Sequence, residues 1–341
     1  TAAPGRYTLS LHDALPIWVY RAECDFTSET VRTTEFLIRH WRALRERADA
    51  DINDERQVAE FVALCENEDL LRALFVFTSA DRAEWQSEQD DPTPWFNMRE
   101  LYAKCMAHYR PGLDAKRSIE TAGFTPDQVK VLKDFGPDFY AGVYRRHADR
   151  FATHLLHLAE YPSTQDAKVS ILRDGLSIIL GVAARDVRGL AACITGALWC
   201  QNVTLRQAHL FSAANHGLAL DFFHVEPGEN LVGPHLAAAI EHAIRQRLFI
   251  GDRDESRIPC VHGVTTLQEW RPGQYGLRFE TTEDAGGSVY MLTYKVFRYL
   301  EGNIFGLAAH TVRGRIYVSV YLSLPAHLTL DAARAIVAKH F

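Results

Sequence analysis

Residues 176–225 read LSIILGVAARDVRGLAACITGALWCQNVTLRQAHLFSAANHGLALDFFHV, and the changes of texture along them decide the fold. Residues 176–183 are a run of Ile, Leu and Val suited to a strand, and 189–200 continue as a helix. Residues 203–211 alternate polar and apolar positions, Asn215-His216-Gly217 supplies a tight turn, and 218–225 return as a strand. A second helix follows at 234–248. The order repeats after Arg271-Pro272-Gly273: strand 275–281, helix 288–300, strand 304–311, a turn at Arg313-Gly314, strand 316–322 and helix 330–339. Two βαββα units in tandem amount to an internal duplication. A ferredoxin-like (βαββαβ) antiparallel sheet backed by helices is the compact way to bury each of them.

Upstream the pattern is helical. Phe36, Leu37, Trp41 and Leu44 recur at three- and four-residue steps, as do Val58, Phe61, Val62 and Cys65. Asn67-Glu68-Asp69 breaks the pattern before a very apolar helix at 70–79, residues 87–94 (SEQDDPTP) form a polar loop, and 97–109 are a further helix. Thr125-Pro126-Asp127 opens a short helix, with Pro in the first turn where its missing N–H costs nothing. Residues 145–161 form an amphipathic helix. The fold class expected is therefore α+β, an all-α region followed by the two ferredoxin-like units. Its divisions fall at 18–110 (helical region), 111–165 (helical connector), 166–270 (first unit) and 271–341 (second unit). Residues 7–17 read YTLSLHDALPI, the translation of a common short-read sequencing adapter, so 1–17 are no guide to the fold and the natural protein is expected to continue upstream.

With 37 Lys plus Arg against 43 Asp plus Glu in 341 residues, the chain shows no basic run of the kind nucleic acid requires. It also has no apolar stretch of the roughly 20 residues a membrane span requires. Neither partner is expected. The six cysteines are scattered without a CxxC pair, which points to buried, reduced thiols and a cytoplasmic setting.

The first unit resembles an ACT domain. Ala184-Arg185-Asp186-Val187-Arg188-Gly189-Leu190 stands where that family has a loop of the form A-x-D-R-P-G-L, and Ala219-Leu220-Asp221-Phe222-Phe223 is similar to its ALDxF strand. Together with what precedes it, the chain resembles the bacterial PII uridylyltransferase/uridylyl-removing family. Residues 134–140 (DFGPDFY) resemble that family's linker before its ACT pair. Residues 69–74 leading to Thr78-Ser79-Ala80-Asp81, then 98–102, resemble the end of its HD phosphohydrolase domain. The likeness runs from about residue 27 to the end of the chain. It implies a truncated HD region followed by two ACT domains that pair side by side and bind amino acids at their interface.

The resemblance also assigns roles. Asp81 would be the last metal ligand of an HD site, and His40 matches a His-His position in which Trp41 replaces the second histidine. A helix-capping Asp and a packing His are the plainer readings. The earlier His and the His-Asp pair of that signature do not lie between Trp18 and His40, and the nucleotidyltransferase domain with its paired aspartates is absent. A divalent metal, Mg or Mn, is thus expected in the full-length parent, with no cofactor and no catalytic residue in this stretch. His154 and His157 read as packing residues among leucines.

Ligand-binding residues are expected at Asp186, Arg188, Gly189 and Leu190, and in the second unit at Asp284, Gly286 and Gly287. Backbone N–H groups at a helix N-terminus attract a carboxylate, and an Asp side chain accepts an amino group. Arg188 and Gly286 stand where the family pattern has Pro, and Gly286-Gly287 also suits a plain turn. The function implied is a regulatory part that senses glutamine or another amino acid within an enzyme acting on the PII signalling protein. A stand-alone, non-catalytic amino-acid-binding protein is the alternative.

Overall fold

The computed structural model describes residues 26–50, 52, 55–85, 93–109, 123–136, 139, 143–174, 177–203, 205–225, 233–248, 258–283, 285–312 and 314–341. The adapter-like segment lies outside them. The chain divides into two compact units, residues 1–111 and 112–341.

The first unit is helical: α1 (Ser28–His40), α2 (Ala43–Ala48), α3 (Glu55–Cys65), α4 (Glu68–Trp85) and α5 (Thr93–Tyr109). Local chemistry sets the helix starts. The Thr27 hydroxyl accepts from the Thr30 N–H at 3.1 Å, and the Asn67 side chain accepts from the Leu70 N–H at 2.9 Å, each capping an otherwise unpaired donor. The apolar stripes then meet in one core that includes Leu44, Phe61, Leu71, Leu74 and Leu101. Phe75 stacks on Tyr102 at 4.1 Å, and the Tyr109 hydroxyl donates to the Val62 carbonyl at 2.7 Å. Thr93 and Pro94, expected in the polar loop, open α5 instead.

In the second unit, α6 (Pro126–Lys133) begins with a complete capping box, Thr125 and Gln128 each bonding the other's backbone N–H. The single helix expected over 145–161 is divided. A 3-10 helix (Val143–Arg150) and α7 (Ala152–Glu160) meet at the buried ring of Phe151. Then come β1 (Lys168–Asp174), β2 (Ser177–Arg185), α8 (Leu190–Cys200), β3 (Leu205–Ala213), β4 (Leu218–Val225) and α9 (Pro234–Gln246). The repeat supplies β5 (Val264–Arg271), β6 (Gln274–Thr281), α10 (Ala285–Lys295) with a π-helical turn Val296–Leu300, β7 (Asn303–Val312), β8 (Arg315–Ser323) and α11 (Leu330–His340).

The eight strands among the described residues form one antiparallel sheet in the order β1-β2-β4-β3-β7-β8-β6-β5. Each repeat is ββαββα, not βαββαβ. The edge that a closing strand would take beside β2 is filled by β1, and that beside β6 by β5. Strands β3 and β7 join the repeats, and the Leu210–Leu307 pair lies midway along the join. Behind the sheet α8 packs on α10, where the Thr195 and Thr293 hydroxyls are 2.9 Å apart. Each threonine stands six residues after a glycine at the start of its helix, Gly189 just before α8 and Gly287 in the first turn of α10, so equivalent residues of the two repeats meet near an internal two-fold axis.

Strand β4 is buried along its whole length because both faces are covered. Ala219, Phe223 and Val225 face the helical layer with Leu190, Ile194 and Ile240. On the opposite face Phe222 stacks on Tyr144 at 4.5 Å and meets Phe151 and Phe139, which the connector helices bring over the sheet. Gly181 makes this close approach possible: a Cβ there would lie 2.4 Å from the Phe151 ring.

Candidate functional site

β2 ends at Arg185, whose guanidinium donates to the Leu158 carbonyl, to Tyr161 O at 3.0 Å and to His216 O at 3.3 Å. The next residue, Asp186, donates its N–H to the Gly217 carbonyl at 3.0 Å, so its loop is tied to the β3–β4 turn. That turn is held from the connector. Asp134 accepts from the His216 N–H at 3.1 Å, pairs with the His216 ring at 2.8 Å and bonds Asn215. The chain then reverses through Gly189, whose φ of 88° lies in the left-handed region that favours glycine, and α8 begins at Leu190.

Between this loop and the second repeat lies a small cavity of about 20 Å3. Asp186, Gly189, Leu190, Ser212 and Asp221 line it from the first repeat, and Thr293, Phe297 and Asn303 from the second. That volume suits a single water molecule. It is smaller than any free amino acid.

The cavity contains two carboxyl groups. Burial raises the pKa of Asp186, and a hydrogen bond from Ser212 partly offsets the rise. Asp221, 2% exposed on the central strand, is raised well above the ordinary carboxylate value, first by burial and then by the charge of Asp186, against a hydrogen bond from the Phe211 backbone. Two neighbouring buried carboxylates do not ionise together at ordinary cost.

Of the residues expected at the first loop, Asp186, Gly189 and Leu190 line the cavity. Arg188 points away from it, with an ion pair to Glu301 at 3.6 Å and its guanidinium 5.3 Å from the Phe297 ring. Arg188 thus fastens the two repeats across the rim. Asp284 lies outside the described residues. Gly286 and Gly287 are buried in the first turn of α10, away from the cavity.

The second loop has different surroundings. Chain segment 260–263 lies against it: the Thr281 hydroxyl donates to His262 O at 2.6 Å, and the His262 N–H donates to Glu283 at 3.2 Å. Its chemistry differs as well. Asp221 is four residues beyond the turn glycine Gly217, and the residue four beyond Gly314 is the buried Val318. Sequence reasoning missed Asp221, Ser212, Thr293 and Asn303 as cavity residues. An Asp set in the apolar run LALDFFHV was the available signal.

In the helical unit, the His40 ring lies against Phe36 at 4.9 Å, and burial, then the nearby Arg39, lower its pKa. Asp81 lies on α4. Among the described residues no group of three or more His, Cys, Asp or Glu is placed to hold a metal ion.

Of the cysteines expected to be buried, Cys65, Cys105 and Cys193 are, and burial pushes the thiols of Cys65 and Cys105 up to about 12. Cys200 and Cys260 are exposed. No described helix is long and apolar enough to cross a membrane.

No protein-family model matches the sequence, and no solved structure does. Over 224 residues the chain is 28% identical to the bifunctional uridylyltransferase/uridylyl-removing enzyme of Azospirillum brasilense. The aligned stretch covers 59% of this chain and 23% of that protein. This likeness supports a relation to the uridylyltransferase family.

Proposed function

We propose that this chain is a regulatory, amino-acid-sensing part of a uridylyltransferase/uridylyl-removing system, with the cavity beside Asp186 as its sensor. Its two tandem repeats act as a pair of ACT domains. The observation that carries the reading is the placing of two buried carboxyl groups, Asp186 and Asp221, beside a glycine-opened helix at the junction of the repeats. A free amino acid suits such a site. Its ammonium group meets the two carboxyls, and its carboxylate meets the N-terminus of α8 near Ala191 and Ala192. Ser212 and Asn303 offer hydrogen bonds to a side-chain amide, which makes glutamine the ligand of choice. Admission requires the cavity to enlarge, and the Arg188–Glu301 pair and Phe297 at its rim are the groups that must move.

In this reading the chain works in the cytoplasm, controlling the modification of a PII-type signalling protein by catalytic parts outside it. Any divalent metal belongs to those parts. Thermal unfolding tests the sensor. A ligand at about a hundredfold excess over its Kd stabilises the folded state by about 2.7 kcal/mol. For a unit of this size that corresponds to roughly 5–10 °C in Tm. Glutamine should produce such a shift, glutamate a smaller one, and Asp186→Ala none. No shift with any of the common amino acids would remove the reading.

A further inference from the structure

The segment that lies against the second loop carries chemistry of its own. Cys260 is exposed, and its Sγ lies 3.9 Å from Nε2 of His262. The other ring nitrogen of His262, Nδ1, is 3.4 Å from Oε1 of Glu283. The His262 backbone is held at both ends, its N–H by Glu283 and its carbonyl by Thr281. Gly263 packs so closely that a Cβ there would meet the Glu280 carbonyl at 2.4 Å. Lys295 on α10 is near enough for Cys260 to act on it electrostatically. A thiol, an imidazole and a carboxylate thus stand in sequence, with a cation alongside.

This is the order in which a nucleophile, its proton acceptor and an orienting group are arranged. We propose that Cys260 is a nucleophilic thiol that exchanges with low-molecular-weight disulfides, with His262 as proton acceptor and Glu283 as the positioning residue.

The Cys260 proton passes to Nε2 of His262 as Sγ attacks one sulfur of the disulfide. A new S–S bond joins Cys260 to that sulfur, and the old S–S bond breaks. The second sulfur leaves with the electron pair as a thiolate and takes the proton back from the imidazolium. The Cys260 sulfur is formally oxidised by one electron, the departing sulfur is reduced by one, and no further reactant is needed. The product is a mixed disulfide beside the second loop, on the segment that joins the repeats.

Cys200 supplies an internal reference, being exposed at the end of α8 with no ionisable residue within two positions in the sequence. The test is the stopped-flow reaction of the full chain carrying Cys24→Ser with a nitrobenzoate disulfide, whose released thiolate is coloured, and then with glutathione disulfide. One thiol per chain should react about tenfold faster than Cys200 at pH 7, the gain expected when a thiol that is only a few per cent ionised acquires a base. The fast phase should vanish in Cys260→Ser and survive in Cys200→Ser. His262→Asn and Glu283→Gln should slow it and change its pH profile. Both side chains are solvent-facing, and unchanged circular dichroism would show that each variant is folded. A Cys260 rate within about twofold of Cys200, or one that His262→Asn leaves unchanged in size and pH profile, would overturn the proposal.

Discussion

Asp221→Asn isolates the cost of burying the carboxyl on the central strand. In the folded chain the pKa of Asp221 is raised well above its ordinary value, chiefly by burial and then by Asp186. The folded state therefore holds a proton that the unfolded state has already released. For such a group stability is greatest below the unfolded pKa and falls as pH rises toward the folded one. The slope is at most about 1.4 kcal/mol per pH unit for one proton. Asparagine keeps an oxygen for the Phe211 N–H and has no proton to retain. The variant should match the wild type near pH 4 and gain on it as pH rises, by about 1.4 kcal/mol for each unit until the folded pKa is reached. At roughly 2–4 °C per kcal/mol, the gap in Tm should be readily measured by pH 7. Paired urea titrations from pH 4 to pH 8 measure the difference directly. A difference that does not change with pH, or a variant that loses most at high pH, would show that Asp221 is ionised and paired in the fold.

Two further perturbations test the packing around the site. Gly181→Val places a branched side chain against the Phe151 ring, where even a Cβ would be 2.4 Å away. It should destabilise by at least the 1–3 kcal/mol typical of overpacking, about half of that being recovered by Phe151→Leu in a double-mutant cycle. Asp134→Ala removes the acceptor of the His216 N–H, the His216 ring and Asn215, a side chain only 6% exposed. About 2–3 kcal/mol should be lost in denaturant titrations, and hydrogen exchange should quicken at the Asp186 and His216 amides more than elsewhere.

The tandem repeat was legible because its central elements carry strong signals. β4 is mostly apolar and buried along its length, α8 is a long apolar run that follows Gly189, and α10 carries a glycine pair in its first turn. The outer hairpin strands were not. Lys168–Asp174 carries charge at both ends and only a short apolar centre, while Val264–Arg271 mixes Thr, Gln and Glu with its apolar residues. Edge strands bury one face or less, so their periodicity is weak. With those strands missed, the edge of each sheet was assigned to a strand following the last helix. The residues of the loop could be read from its Asp and Gly. The opposite wall could not, since Thr293, Phe297 and Asn303 are about a hundred residues away in the chain and reach the cavity through the pairing of β3 with β7 and the packing of α8 on α10. Asp221 was visible within a motif, but that its side chain faces the helical layer depends on strand register.

The inequality of the two loops gives the account its most exposed claim. The first loop borders a cavity with two carboxyls. The second is covered by segment 260–263, and the strand position equivalent to Asp221 holds Val318. Isothermal titration of the full chain with glutamine should therefore give one site per chain. Proton release should accompany binding, seen as a dependence of the heat on the ionisation enthalpy of the buffer. Asp186→Ala should abolish the heat and Glu283→Ala should leave it intact. Two equivalent sites, binding that survives Asp186→Ala, or no binding of any amino acid would contradict the account.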